Sequence, residues 1–187
     1  MNELICEKAY LEYLAKKGIT PSNYEMCNGI RNYWDGDEVF YYKDRIERVD
    51  YKLVSNFISI ELVQVSKQNT YDSWLFNENI HKIVYIDRNT LNVYEFERQK
   101  LVNLAYLLVN NFDMKRTSTV YRENVHHWPY EWALMKLKKH ATLDMQFNEL
   151  KLIVNSVSRD KIHMNVAHNS TQTFSGLNIR IPIELMN

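Results

Sequence analysis

The chain has 187 residues, an apolar fraction of 45%, and equal numbers of basic and acidic side chains, 23 of each. This length and composition are typical of a globular protein, so we predict a single domain over residues 1–187, with the less regular pattern in residues 113–187. The balanced charge disfavours a sequence-blind DNA-binding protein, because such proteins usually carry a basic excess that neutralises phosphates.

The first two thirds of the chain predict one helix followed by strands. Leu4 and Leu11 belong to an apolar face with helical spacing, and we place this helix over residues 3–17. The stretch 20–37 is irregular, and the polar stretch 67–71 is predicted as a loop. Short runs of β-branched and aromatic residues predict five strands, over residues 39–42, 46–54, 57–65, 80–86 and 91–96.

The last part of the chain predicts further helices and a closing strand. An apolar run favours a helix over residues 101–110, and a second helix is expected over 131–143. Residues 150–157 fit a strand and a helix equally well. The polar stretch 158–175 is predicted as a loop, and alternating isoleucines predict a strand over 177–185.

The order of these elements predicts the fold class. It is neither a strict βαβ alternation nor an all-β pattern, so we expect an α/β (α+β) fold with a central mixed β-sheet flanked by helices. The five predicted strands between residues 39 and 96 are separated only by short turns or one polar loop. We therefore predict that residues 39–96 form one continuous antiparallel meander within the mixed sheet.

Cysteine usage and hydropathy predict an intracellular location. Cys6 and Cys27 lack the short paired spacing of a zinc or redox motif, so we expect free thiols in a reducing compartment. The start of the chain lacks the basic and apolar regions of a signal peptide. The longest apolar stretch, 104–109, is too short to cross a membrane. We expect a soluble, cytoplasmic protein without a membrane partner.

An acid and a lysine two residues apart form the main candidate site. Asp50 and Lys52 lie on the predicted strand 46–54, where residues i and i+2 face the same side. A carboxylate there can hold a divalent metal ion, and an ammonium group can orient or deprotonate an attacking water. A further acid would complete a magnesium site, and the candidates are Asp37, Glu38, Asp44 and Glu61. The triplet alone also fits a solvent-facing polar stripe.

Two other polar groups have a functional and a structural interpretation. Lys136, Lys139 and His140 share one face of the predicted helix 131–143, which could contact phosphates or could be a solvated helix face. The adjacent pair His126-His127 could bind a metal, but neighbouring side chains usually point to different sides. We therefore interpret this pair as part of a packed loop.

Five short segments of apolar and turn residues follow one another in a recognisable order: Asn56–Glu61, Ser73–Leu75, Ile83–Ile86, Thr90–Tyr94 and Gly176–Ile183. Together with the acid-x-Lys triplet, this pattern resembles the small PD-(D/E)xK (restriction-endonuclease-like) nuclease-like proteins of phages and plasmids. The resemblance implies a restriction-endonuclease-like fold. It puts Asp50 and Lys52 on the acid-x-Lys pair of that family, and Glu61 on the acid of the following strand.

The resemblance also implies an activity, which is metal-dependent hydrolysis or processing of DNA by a phage-like protein, with magnesium as cofactor. The chain departs from the family at its first acid, because Gly29-Ile30-Arg31 stands where the family often has Gly-Ile-Asp. Either Asp37 or Asp44 replaces this acid, or the metal site is inactive. The alternative is a catalytically inactive nuclease-like binding protein that inhibits a host defence enzyme, so the expected partner is DNA or a host protein.

Overall fold

The computed structural model describes residues 2–27, 35–66, 69–111, 128–142, 162–168 and 174–183. Three α-helices and nine strands lie within these residues, in an α+β arrangement. In chain order they are α1 (Asn2–Lys16), β1 (Asn23–Met26), β2 (Glu38–Tyr41), β3 (Ile46–Val54), β4 (Phe57–Ser66), β5 (Asn69–Asp72), β6 (Lys82–Asp87), β7 (Val93–Glu97), α2 (Arg98–Asn111), α3 (Trp128–His140), β8 (His163–His168) and β9 (Phe174–Pro182). None of the helices described here is long and apolar enough to cross a membrane.

The chain divides into two compact units, each built from separate stretches of sequence. The first contains residues 1–56 and 77–98, and the second contains residues 57–76 and 99–187. The expectation that residues 1–187 form one domain stays a prediction.

The first unit is a mixed five-stranded sheet in the order β1-β2-β3-β6-β7. Neighbouring strands are antiparallel except β3 and β6, which are parallel. Helix α1 packs on one face of this sheet, where Tyr10 is fully buried. The Tyr10 ring makes edge-to-face contacts with Phe40 and Tyr51, and the ring centroids are 5.4 Å and 5.8 Å apart, respectively. Such edge contacts add to the burial of apolar area and hold α1 on the sheet.

The second unit is an antiparallel four-stranded sheet in the order β5-β4-β9-β8. Ile58 and Ile60 of β4 pair with Ile181 and Ile179 of β9, and all four side chains are buried. The buried Asn103 of α2 fixes the chain that follows α3, since its side chain donates to the carbonyl of Thr142 at 3.1 Å and accepts the Thr142 N–H at 2.9 Å.

The strands of both units correct the expected strand pairing. The predicted meander over residues 39–96 is wrong, because β3 pairs in parallel with β6 while β4 and β5 lie in the other sheet. Alternation of apolar residues marks a strand but does not identify its partner, and β4 pairs with a strand from the end of the chain.

Three strands lie where no strand was expected, since β1, β5 and β8 fall in the stretches 20–37, 67–71 and 158–175. The loop prediction fails there because short, polar edge strands lack an apolar alternation. The other expected elements are confirmed within a few residues. Residues 150–157 and the pair His126-His127 lie outside the described residues.

Candidate functional site

Strand β3 presents two different faces. Val49 and Tyr51 are buried against α1, and the residues between and after them, Asp50 and Lys52, alternate onto the opposite face. The Lys52 ammonium forms an ion pair with Asp50 Oδ2, which confirms that the two side chains lie side by side. The acid-x-Lys triplet is therefore a contact pair on one face of the five-stranded sheet.

The Asp50 carboxylate is buried and is paired with the Lys52 ammonium. Asp50 is only 6% exposed, whereas the Lys52 side chain is 31% exposed. Burial raises the pKa of Asp50, the Lys52 charge opposes this shift, and the nearby Asp37 carboxylate adds to it. The ion pair of Asp50 Oδ2 with the Lys52 ammonium offsets part of the cost of burying this carboxylate.

Asp37 is the acid that the hairpin of β2 and β3 places beside Asp50. Glu38, the first residue of β2, pairs with Val49, and Asp37 immediately before it lies close enough to Asp50 for its charge to raise the pKa of that carboxyl. Asp37 Oδ2 accepts the backbone N–H of Tyr51 at 2.6 Å, which anchors the carboxylate at the end of the ladder.

Gly36 allows this close approach. Its φ of +81° lies in the left-handed region, and a Cβ there would stand 2.7 Å from the carbonyl oxygen of Val49. The N–H of Asp37 donates to that same oxygen at 2.8 Å. Residues before the glycine are tied to the same strand, since Arg48 Nε donates to Asp35 Oδ1 at 2.8 Å. The segment 35–37 is thus fixed to β3 on both sides of the glycine.

The other acids named from the sequence have contacts of their own. Asp44 is in the turn between β2 and β3, before Ile46, which is itself about 13 Å along β3 from Asp50, and it pairs with Arg45 at 3.3 Å. Glu38 is buried on the α1 face and accepts the Tyr51 hydroxyl. Glu61 belongs to β4 of the second unit, and its carboxylate accepts Gln64 Nε2 at 2.5 Å. The catalytic role of Glu61 stays a prediction.

A larger metal cluster is not formed by the residues that the structure describes. Among them, no group of three or more histidines, cysteines, aspartates and glutamates is arranged to hold a metal ion. The candidate centre is a pair of carboxylates, Asp37 and Asp50, next to one ammonium group. This donor set fits magnesium, which usually takes one or two protein carboxylates and keeps several waters.

The basic residues of α3 do not form one open face. Lys136 Nζ donates to Asp72 Oδ2 at 2.7 Å, and its side chain is 16% exposed. The His140 ring lies 5.4 Å from that of Phe76, centroid to centroid, whereas Lys139 is exposed. Phosphate binding by these residues stays a prediction, with Lys136 already engaged in an ion pair.

Two features of the site were missed in the sequence, the glycine that admits Asp37 and the neighbouring basic residue Arg48. Asp35-Gly36 could be identified as a turn, but only the structure shows that the glycine touches the backbone of β3. The signal for Arg48 was its position two residues before Asp50, on the same face of the strand. Comparison of the chain with protein-family models, with curated proteins and with solved structures finds no match, so the interpretation depends on the geometry of the site.

Proposed function

We propose that this protein is a magnesium-dependent, restriction-endonuclease-like DNA phosphodiesterase of a phage-like mobile element. The observation that carries the proposal is the buried Asp50 carboxylate, which lies beside the Lys52 ammonium and near Asp37. Two carboxylates that could hold a divalent cation, next to a lysine, are side chains suited to metal-assisted hydrolysis of a phosphodiester.

Each side chain has a distinct role in this proposal. Asp37 and Asp50 would hold a magnesium ion, and the chemistry that such an ion would supply here is stabilisation of the charge that develops on the phosphate. Lys52 is held by its contact with Asp50 and is partly exposed, so its ammonium can donate to the attacking water or to the phosphate. Residues that are positioned in advance in this way lower the barrier for in-line attack.

The resemblance to PD-(D/E)xK proteins supports the same assignment. That pattern needs an acid upstream of the acid-x-Lys strand, and the chain has Arg31 where the family's first acid often stands. Asp37 supplies a carboxylate in contact with the backbone of Tyr51, within the same hairpin. It therefore takes the role of the missing acid in the proposed mechanism.

A non-catalytic function is the second candidate. Asp50 and Lys52 neutralise each other in a direct ion pair, and the described residues bring only one further acid to the site. In this alternative, the nuclease-like surface binds and inhibits a host defence enzyme. The alternative predicts no cleavage of DNA by the wild-type protein with any divalent metal.

Cleavage of labelled single-stranded, duplex and branched DNA in magnesium or manganese tests the proposal. Asp50→Asn and Lys52→Met should lower the rate by about a hundredfold or more, because each removes a group that acts on the reacting phosphate. Asp44→Asn is the matched control, since this exposed acid lies at the other end of the hairpin. Cleavage that survives both site variants would contradict the proposal, as would an inactive wild type.

A further inference from the structure

Arg48 and His81 lie beside the acid pair on the same sheet. Arg48 precedes Asp50 by two residues and therefore shares its face of β3. His81 immediately precedes β6, whose first residue Lys82 pairs with Val49, so His81 stands beside Arg48. The backbone N–H of His81 donates to the backbone carbonyl of Arg48 at 2.9 Å. The backbone N–H of Arg48 donates to the ring nitrogen Nδ1 of His81, also at 2.9 Å.

These hydrogen bonds determine which ring nitrogen of His81 carries the proton. Because Nδ1 accepts the Arg48 N–H, the proton of the neutral ring is on Nε2. Burial lowers the pKa of His81, and the Arg48 charge lowers it further, which favours the neutral ring. His81 is nevertheless an exposed residue. His81 is thus an uncharged donor whose tautomer is fixed by the sheet.

Arg48 is a charged donor held in a fixed position. Its Nε donates to Asp35 at 2.8 Å, and its side chain stays 32% exposed. A guanidinium carries five N–H groups in a planar fork that suits phosphate oxygens. One carboxylate contact therefore orients Arg48 and leaves it able to donate further hydrogen bonds.

We infer that Arg48 and His81 bind the DNA phosphate adjacent to the one that reacts at Asp50 and Lys52. This inference rests on the proposed function and names the part of the substrate that lies outside the metal site. Two residues of a strand span about 7 Å, so Arg48 is one step along β3 from Asp50. A DNA strand lying along β3 presents one phosphate to the metal site and the next phosphate to Arg48 and His81. Arg48 donates to that phosphate as a charged group, and His81 donates as a neutral group.

Fluorescence anisotropy with a labelled DNA oligonucleotide, duplex and single-stranded, tests the inference, with calcium in place of magnesium. Arg48→Ala should reduce the slope of log affinity against log salt by about 0.9 for duplex and about 0.7 for single strands, because one phosphate contact is lost. Arg48→Lys should keep the wild-type slope. His81→Ala should weaken binding without changing the slope, because the ring is neutral. Arg45→Ala, in the turn before β3, is the matched control and should bind like the wild type.

The outcomes separate this inference from the proposed function. A wild type that cleaves DNA, together with an Arg48→Ala variant that keeps its affinity and salt slope, overturns the inference and leaves the function intact. A wild type that binds DNA with the Arg48-dependent slope but never cleaves it supports phosphate binding by Arg48 and contradicts the proposed enzymatic function. If the wild type binds no DNA, both are wrong. Melting temperatures of all variants show whether each one folds.

Discussion

Replacing the buried Glu38 by glutamine should change how stability depends on pH. Glu38 is fully buried on the α1 face, and its Oε1 has no hydrogen-bond partner among the described residues. Burial raises the pKa of Glu38 from 4.5 to about 7. The charges of Glu7 and Asp37 also raise this pKa, whereas the hydrogen bond from the Tyr51 hydroxyl lowers it. The folded protein therefore holds a proton on Glu38 that the unfolded chain releases at lower pH.

The sign and size of the effect follow from this difference in pKa. An acid whose pKa is raised by folding stabilises the protein while it is protonated, so its contribution is complete below pH 4.5 and is lost as the pH rises through about 7. A difference of 2.5 units between the two states corresponds to about 3 kcal/mol of unfolding free energy at most, at 1.36 kcal/mol per unit. Glutamine at position 38 keeps an acceptor for Tyr51 and carries no charge, so this pH dependence disappears.

Urea unfolding of the wild type and Glu38→Gln, at several pH values from 5 to 8 and with a chelator present, measures the difference. The variant should gain stability relative to the wild type as the pH rises, by about 3 kcal/mol at the upper end of the range. Glu12→Gln, on an exposed position of α1, is the control and should run parallel to the wild type. Equal pH dependence of the wild type and Glu38→Gln would refute the reasoning.

Three further variants test individual contacts. Gly36→Ala should destabilise the fold by about 1–3 kcal/mol and lower DNA cleavage, because the alanine Cβ would stand 2.7 Å from the Val49 carbonyl oxygen. Thermal melts and a cleavage assay measure these effects. Wild-type values in both would show that the contact is unimportant. Asn103→Leu should cost about 1–3 kcal/mol in urea unfolding, because the N–H and carbonyl of Thr142 lose their partner; an unchanged midpoint would argue against this. Leu91→Gly should raise the melting temperature or leave it unchanged, because Leu91 is exposed with a φ of 58° and glycine relieves about 1 kcal/mol of backbone strain. A clear fall in the melting temperature would contradict the strain argument.

Local patterns in the sequence were enough to place most elements and one pair of site residues. The bounds of β3 agree with the predicted strand 46–54, whose polar and apolar residues alternate from Arg48 to Leu53. The same period of two residues put Asp50 and Lys52 on one face, and their ion pair confirms it. Predictions that depend only on a local repeat were therefore reliable here.

Strand partners and the second acid could not be obtained in this way. Strand β4 pairs with β9, and β3 pairs in parallel with β6 across an intervening stretch that enters the other sheet, so both contacts depend on distant segments. Asp37 stood among four candidate acids in the sequence. Its selection depends on the register of the hairpin and on the left-handed conformation of Gly36, and neither is encoded in the spacing of acidic residues.

Binding of a divalent cation by Asp37 and Asp50 is the central claim, and calorimetric titration with manganese tests it most directly. The wild type and the control Asp44→Asn should bind one ion with the same affinity. Asp50→Asn and Asp37→Asn should each weaken binding by more than about tenfold, because losing a direct ligand costs more than losing its outer-shell support. Equal affinity in the wild type and Asp50→Asn, or no heat of binding in any of these proteins, would contradict a metal site at this hairpin.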